Sequence, residues 1–289
     1  MIEFLVPLSS AVFVSLRNVL IRTVRKNVAH TTVLFVNFLV AAVAGVVVAV
    51  VVLPMEVGSR FYWSVPIVTV ALIVGRFALI AGISSATLSS TVPLIAFAPL
   101  FISLTSFLIL GERITLLGFG GILAVVVGSY LLRIDSAGGG VLEPIRVLSR
   151  EKGARMMLLA ALCFSIAAPM AKIAVRASSP YLAFAGVQIL GFVLVTGWVA
   201  SRRHLSTAVA QIVRNPAPLL LVGVANVLQA LTTYLAIDLM LVAYALGIKG
   251  SNILMTGLLG HIVFHEKKLG RTILVGLIMV AGVALLAFD

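Results

Sequence analysis

Ala98-Pro99-Leu100-Phe101-Ile102-Ser103-Leu104-Thr105-Ser106-Phe107-Leu108-Ile109-Leu110, closed by Gly111-Glu112-Arg113, has a counterpart late in the chain. There Asn252-Ile253-Leu254-Met255-Thr256-Gly257-Leu258-Leu259-Gly260-His261-Ile262-Val263-Phe264 is closed by His265-Glu266-Lys267. Each glutamate is followed by one more apolar run with a glycine at the same offset, Gly128 and Gly282. A leucine pair follows each glycine, Leu131-Leu132 and Leu285-Leu286. An apolar chain that repeats itself in this way has the build of a membrane protein made of two like halves.

Composition points the same way. The chain is 62% hydrophobic and 10% charged, against about half and a quarter in soluble domains. A water-soluble protein of this make-up would expose more apolar surface than it could cover. Apolar runs of about 18 residues or more recur, long enough to cross a ~30 Å hydrocarbon core as helices. A barrel would show short alternating segments; unbroken runs such as Val40 to Val52 are helical. Glu3 and the lack of a basic cluster at the start argue against a cleaved signal peptide. The single Cys163 excludes an intrachain disulfide and thiolate-rich metal sites. The net charge of +12 is carried mostly by Lys and Arg that flank apolar runs. That is a topology signal rather than a nucleic-acid footprint.

The predicted architecture is an all-α integral membrane protein of ten transmembrane helices in an inverted 5+5 repeat. The spans are 4–21, 31–53, 64–83, 86–110, 116–133, 155–174, 181–200, 217–237, 240–264 and 270–288. The first repeat covers 1–135, a Gly-rich charged linker 136–154, and the second repeat 155–289. Ser15, Arg22 and Lys26 of span 1 recur at constant offset as Ser165, Lys172 and Arg176 of span 6. Five is odd, so two like halves in series lie in the membrane with opposite orientation, which puts a site at the midplane between them.

A family comes into view at this point. A basic residue closes spans 1 and 6, Pro99-Leu100-Phe101 to Leu110-Gly111-Glu112-Arg113-Ile114-Thr115 closes span 4, and Leu246-Gly247-Ile248-Lys249 to Phe264-His265-Glu266 closes span 9. Over essentially the whole chain, in two passes, this resembles the EamA-type members of the drug/metabolite transporter superfamily. The resemblance implies ten helices and the export or exchange of small metabolites. The chain departs from the family pattern in span 1. Val14-Ser15 stands where Trp-Gly is often seen, and Arg17 where Asn is common.

Polar groups inside the spans are the candidate site. A charge at mid-bilayer costs ~2.5–3.5 kcal/mol on insertion scales, so it faces protein or water. Asn226, Gln229 and Thr233 fall at i, i+3, i+7, and Lys249, Asn252 and Thr256 repeat that spacing. Each set forms one stripe on a helix face. Span 1 offers either Arg17 or the stripe Ser15, Asn18, Arg22, Arg25. Asn37 and Gln188 sit mid-run in spans 2 and 7, and Arg76 near the centre of span 3. The predicted substrate-binding set is therefore Arg17, Asn37, Arg76, Gln188, Asn226, Gln229, Lys249 and Asn252. Interhelical glue, worth ~0.6 kcal/mol per hydrogen bond, is the bland reading for the Ser and Thr residues. Lys249 can be drawn with its ammonium snorkelling toward an interface. Arg22, Lys172 and Arg176, near span ends, read as interface anchors. Pro99 and Pro169 are candidate hinges, with simple packing kinks as the alternative; Pro93 falls early in span 4.

All nine Asp and Glu lie at span ends or in loops. Cations without a fixed counter-ion suit a substrate bearing a carboxylate or phosphate. Glu112 and Glu266 read as turn anchors pairing with a loop cation. His261 and His265 stand at i, i+4 beside Glu266, but no third metal ligand converges on them. No phosphate-cradling Gly loop and no Ser/His/Asp set at one depth is present, so no cofactor and no enzymatic role are expected. With a cytoplasmic N-terminus the inside loops would hold only Arg60, Arg113, Lys172 and Arg176. The positive-inside rule therefore favours both termini outside, whereas family members are often described with both inside. The leading reading is a secondary transporter in the cell membrane for a small anionic or zwitterionic metabolite. Its partners are that small molecule and the bilayer, with no nucleic acid; the oligomeric state is left open, a monomer among the options. A flippase for a lipid-linked intermediate is the alternative. An intramembrane enzyme or a non-transporting membrane protein ranks below it.

Overall fold

In a computed structural model the described residues are 2–24, 28–52, 56–85, 97–134, 152–264 and 269–287. Among them all regular structure is helical: α1 (Ile2–Val24), α2 (His30–Val52), α3 (Ser59–Ser85), α4 (Ala98–Leu110), α5 (Leu116–Ile134), α6 (Lys152–Arg176), α7 (Pro180–Ser201), α8 (Leu205–Arg214), α9 (Pro216–Leu239), α10 (Val242–Lys249), α11 (Asn252–Phe264) and α12 (Leu269–Ala287). Among the described residues seven segments are long and apolar enough to cross a membrane, α10 and α11 counting together as one, and three shorter apolar helices lie in α4, α5 and α12. The outer faces are apolar. On α2, Val46, Val47, Val50 and Val51 are 50–77% exposed in a row that water would not tolerate. The chain is a multi-pass integral membrane protein.

The helices associate in matched pairs. α3 packs along α6 and α1 along α9; α2 lies against α7 and α5 against α12; α4 leans on α6, while α10 and α11 lean on α1. The α5–α12 crossing is as close as backbones allow. A Cβ on Gly121 would come within 2.8 Å of the Gly282 carbonyl oxygen, and one on Gly282 within 2.7 Å of that of Gly121. Ala124 packs on Gly282 at the same crossing. These small residues serve internal packing, where dispersion and close approach replace the hydrophobic drive that lipid removes.

Local signals explain the ends. Ser179 accepts the Leu182 N–H at 3.1 Å and Pro180 opens α7, an N-cap with proline in the first turn. Gly111 closes α4 at φ 70°, its N–H bonded to the Phe107 carbonyl at 3.0 Å. That left-handed step turns Glu112 back into the bundle.

Three expectations are corrected. The apolar run over 240–264 is not one regular helix. Gly250 N–H is shared between the Leu246 and Gly247 carbonyls, and Ser251 N–H bonds Ile248 at i−3, so one tight turn separates α10 from α11. Residues 205–214 form a helix where a loop was expected, because Leu205, Ala208 and Ile212 share one apolar face. Lys172 is not an interface anchor. Its ammonium and the Glu112 carboxylate meet at 2.9 Å, with side chains 6% and 3% exposed. Glu112 thus pairs with a cation on a helix rather than one in a loop. Glu266, His265, Pro93, Arg25, Lys26 and most of the 136–154 linker lie outside the described residues.

Candidate functional site

A cavity of about 390 Å³ sits between α1, α3, α4, α6, α7, α9 and the α10–α11 break. Six predicted residues line it: Arg17, Arg76, Gln188, Gln229, Lys249 and Asn252. They come from six helices. The helical spacing of α9 turns Gln229 and Thr233 to the same side, and the tight turn after Lys249 lets α10 and α11 both present polar groups. Asn252 holds that turn, its Nδ2 donating to the Lys249 carbonyl at 2.7 Å.

Asn226 and Asn37 do not reach the lining; they stand behind it. Arg17 Nη1 donates to Asn226 Oδ1 at 3.1 Å and to Gln229 Oε1 at 2.8 Å. Asn226 Nδ2 in turn donates to the Asn37 carbonyl at 3.3 Å. The two amides aim the guanidinium without neutralising it. Lys249 Nζ donates to Thr233 Oγ1 at 2.9 Å, so its ammonium turns inward and does not snorkel. Arg76 rests on the Phe38 ring, Cζ 4.9 Å from the centroid, a cation–π contact. Of the polar options on α1, Arg17 is the one that lines the cavity. Arg22 is exposed, and Ser15 is buried interhelical glue, donating to the Ala11 and Asn252 carbonyls.

The lining thus carries three cations and no carboxylate. The buried polar atoms Arg17 Nε, Arg76 Nη1, Gln188 Oε1 and Tyr234 Oη have no hydrogen-bond partner among the described residues. Arg17 Nε, Arg76 Nη1 and the Tyr234 hydroxyl are donors. Unspent donors thus stand beside positive charge that no lining carboxylate compensates. Much of the remaining lining is apolar, including Val68, Leu72, Ile102 and Phe164.

Tyr234 and Thr233 complete the site beyond the predicted set. Thr233 was visible in the α9 stripe. Tyr234 gave no signal, since an aromatic residue in an apolar run looks like core. Of the candidate hinges, Pro99 lines the cavity but stands in the first turn of α4, where its missing N–H costs nothing. Pro169 lies buried inside α6 away from the lining. The carbonyl it strands, that of Ser165, is taken by Thr105 Oγ1 of α4 at 2.6 Å. No group of three or more potential metal ligands is found among the described residues.

Comparison with known proteins adds an independent line. Among curated proteins none matches the chain by sequence. A solved structure described as "Crystal structure of protein" matches with a TM-score of 0.73 at 15% identity, covering 98% of this chain and 95% of that one. At that identity the likeness concerns fold alone. The model of the EamA-like transporter family matches residues 1–134. Over those residues, a little under half of its length, the chain is similar to the EamA-like transporter family.

Proposed function

We propose that the protein is a secondary transporter of a small organic anion or zwitterion, working by alternating access in the cell membrane. The observation that carries this reading is the charge of the cavity: Arg17, Arg76 and Lys249 line it with no Asp or Glu among the lining residues. A carboxylate or phosphate would take the donors of Arg17, Arg76 and Tyr234. Its apolar portion would lie against Leu72, Ile102 and Phe164. The volume suits a metabolite rather than a macromolecule.

The same reading takes the chain as an inverted repeat of ten spans, with halves 1–135 and 155–289 joined by 136–154. The helix pairing supports it. Exchanging each span with its counterpart five places on turns α3–α6 into α9–α1, and turns α4–α6 into α10/α11–α1. It leaves α2–α7 and α5–α12 unchanged. A pairing pattern that maps onto itself is what a two-fold axis in the membrane plane requires.

The test is a thermal-shift screen of the purified protein against carboxylates, phosphates and matched organic cations, followed by uptake in proteoliposomes. Anions should stabilise the fold, since a ligand held only by the native state raises its apparent stability. Arg76→Ala should abolish the shift and the uptake. Arg76→Lys should keep part of each, because lysine retains charge but not the planar fork. Stabilisation by cations alone, or full uptake by Arg76→Ala, would overturn the reading.

A further inference from the structure

The bundle carries a second concavity, away from the transport cavity. It is a groove of about 300 Å³ on the outer face, between α3 and α7 with α2 as its floor. Seven of its eight lining residues are apolar, among them Leu34, Ile73, Phe77 and Trp198. The eighth is Arg202, exposed at the end of α7. Phe77 and Trp198 meet edge-to-face with centroids 5.7 Å apart. Arg203 follows at φ 55° and turns the chain into α8.

Helix α8 shows where this end of the groove lies. Its inner face packs through Leu205, Ala208 and Ile212 on the cluster that includes Leu34 and Val195. Gln211 Oε1 ties it to the start of α2, accepting the Ala29 N–H at 3.0 Å and the Thr32 hydroxyl at 2.7 Å. Its outer face still exposes Val209 and Val213 at 49% and 73%, with arginines at both ends of the segment. A short amphipathic helix with exposed valines and flanking cations belongs at the boundary of acyl chains and headgroups. The groove therefore runs from hydrocarbon depth up to a basic rim.

We infer that the α3–α7 groove binds a phospholipid with an anionic headgroup. One acyl chain lies along Ile73, Phe77 and Trp198, and the phosphate end is held by Arg202 and Arg203. Charge complementarity commits the site to an anionic headgroup, because the arginine at its mouth faces solvent and a zwitterionic headgroup offers no net charge to it. The site is linked to the central cavity by packing. Its floor residues Leu34 and Val195 belong to the same packed cluster as Phe38, the ring that carries Arg76. Phe38 is seated on Gly191 so closely that a Cβ there would collide with the ring. A lipid chain in the groove thus buttresses the shelf under Arg76.

The experiment is thermal unfolding of the full-length protein, purified and delipidated in neutral detergent. Phosphatidylglycerol or phosphatidylcholine with identical acyl chains is then added. Phosphatidylglycerol should raise the unfolding temperature by roughly 3 °C more than phosphatidylcholine. The double variant Arg202→Gln/Arg203→Gln should lose that preference. Val74→Trp, which fills the groove and leaves both arginines in place, should lose it as well. Arg176→Gln, an exposed cation at the end of α6, should retain it. Equal stabilisation by both lipids, or a preference that survives in the double variant, would overturn the inference. The readout is binding, so it stands whatever substrate the central cavity takes.

Discussion

At the scale of the residue, the cavity turns on how its cations are held. Arg17 is gripped by two amide oxygens and Lys249 by a hydroxyl. Neutral acceptors fix position and leave charge to spare, whereas a carboxylate would consume it. Gln229→Glu is therefore the sharpest single change. It preserves shape, places an anion 2.8 Å from Arg17, and should weaken anion binding by about 10- to 100-fold, since a like charge beside the substrate costs on the order of 1.5–3 kcal/mol. Substrate titration by thermal shift measures it, and unchanged affinity would remove Arg17 from the site. Much of this was legible beforehand. The i, i+3, i+7 spacing on α9 marked Asn226, Gln229 and Thr233, and cations inside apolar runs marked Arg17 and Arg76. Tyr234 was hidden because its hydroxyl matters only once Arg76 is known to lie across the same cavity. Lys249 was ambiguous because the direction of a long side chain depends on the turn that follows it.

Between elements, the buried Glu112–Lys172 pair joins parts that the sequence keeps far apart. Glu112 Oε2 accepts the Val242 N–H at 2.9 Å, at the start of α10, and Lys172 Nζ donates to the Met240 carbonyl at 2.7 Å, at the end of α9. One ion pair therefore clamps the α9–α10 turn to α4 and α6. Removing either partner leaves an uncompensated buried charge. Glu112→Ala and Lys172→Ala should each cost about 3–5 kcal/mol, while Glu112→Leu/Lys172→Met should cost less than either. Unfolding in detergent followed by fluorescence decides it; a double-variant loss equal to the sum of the two single losses would mean that the charges act independently. The Gly-Glu-Arg motif revealed that Glu112 closes a helix, but a loop cation was the wrong partner to expect. A sequence lists neighbours along the chain, and Lys172 becomes a neighbour only when α6 packs on α4. The same holds for Thr105, whose hydroxyl repairs the ladder broken at Pro169.

For the whole molecule, the periodic apolar runs and the doubled motif were enough to read an all-helical membrane protein. The α10–α11 break and α8 were not foreseen, since one is a single tightened turn and the other carries its apolar face for only ten residues. Orientation remains a matter of charge: Arg202, Arg203 and Arg214 cluster on the end that bears α8, which the positive-inside rule assigns to the cytoplasm. Ser201→Cys in a Cys163→Ala background should resist a membrane-impermeant thiol reagent in intact cells and react after lysis. Labelling in intact cells would reverse the orientation. One feature of the cavity reaches further. Three cations held by neutral groups, amide and hydroxyl oxygens for Arg17 and Lys249 and an aromatic ring for Arg76, make the unloaded protein an electrical object. A membrane potential acts on such charge with about 2.3 kcal/mol per elementary charge per 100 mV. Under the proposed function the empty carrier would be the voltage-sensitive form, and a bound anion would quiet it. Transient currents from protein on a supported membrane should shrink as substrate approaches saturation, and currents indifferent to substrate would show that these charges never move through the field.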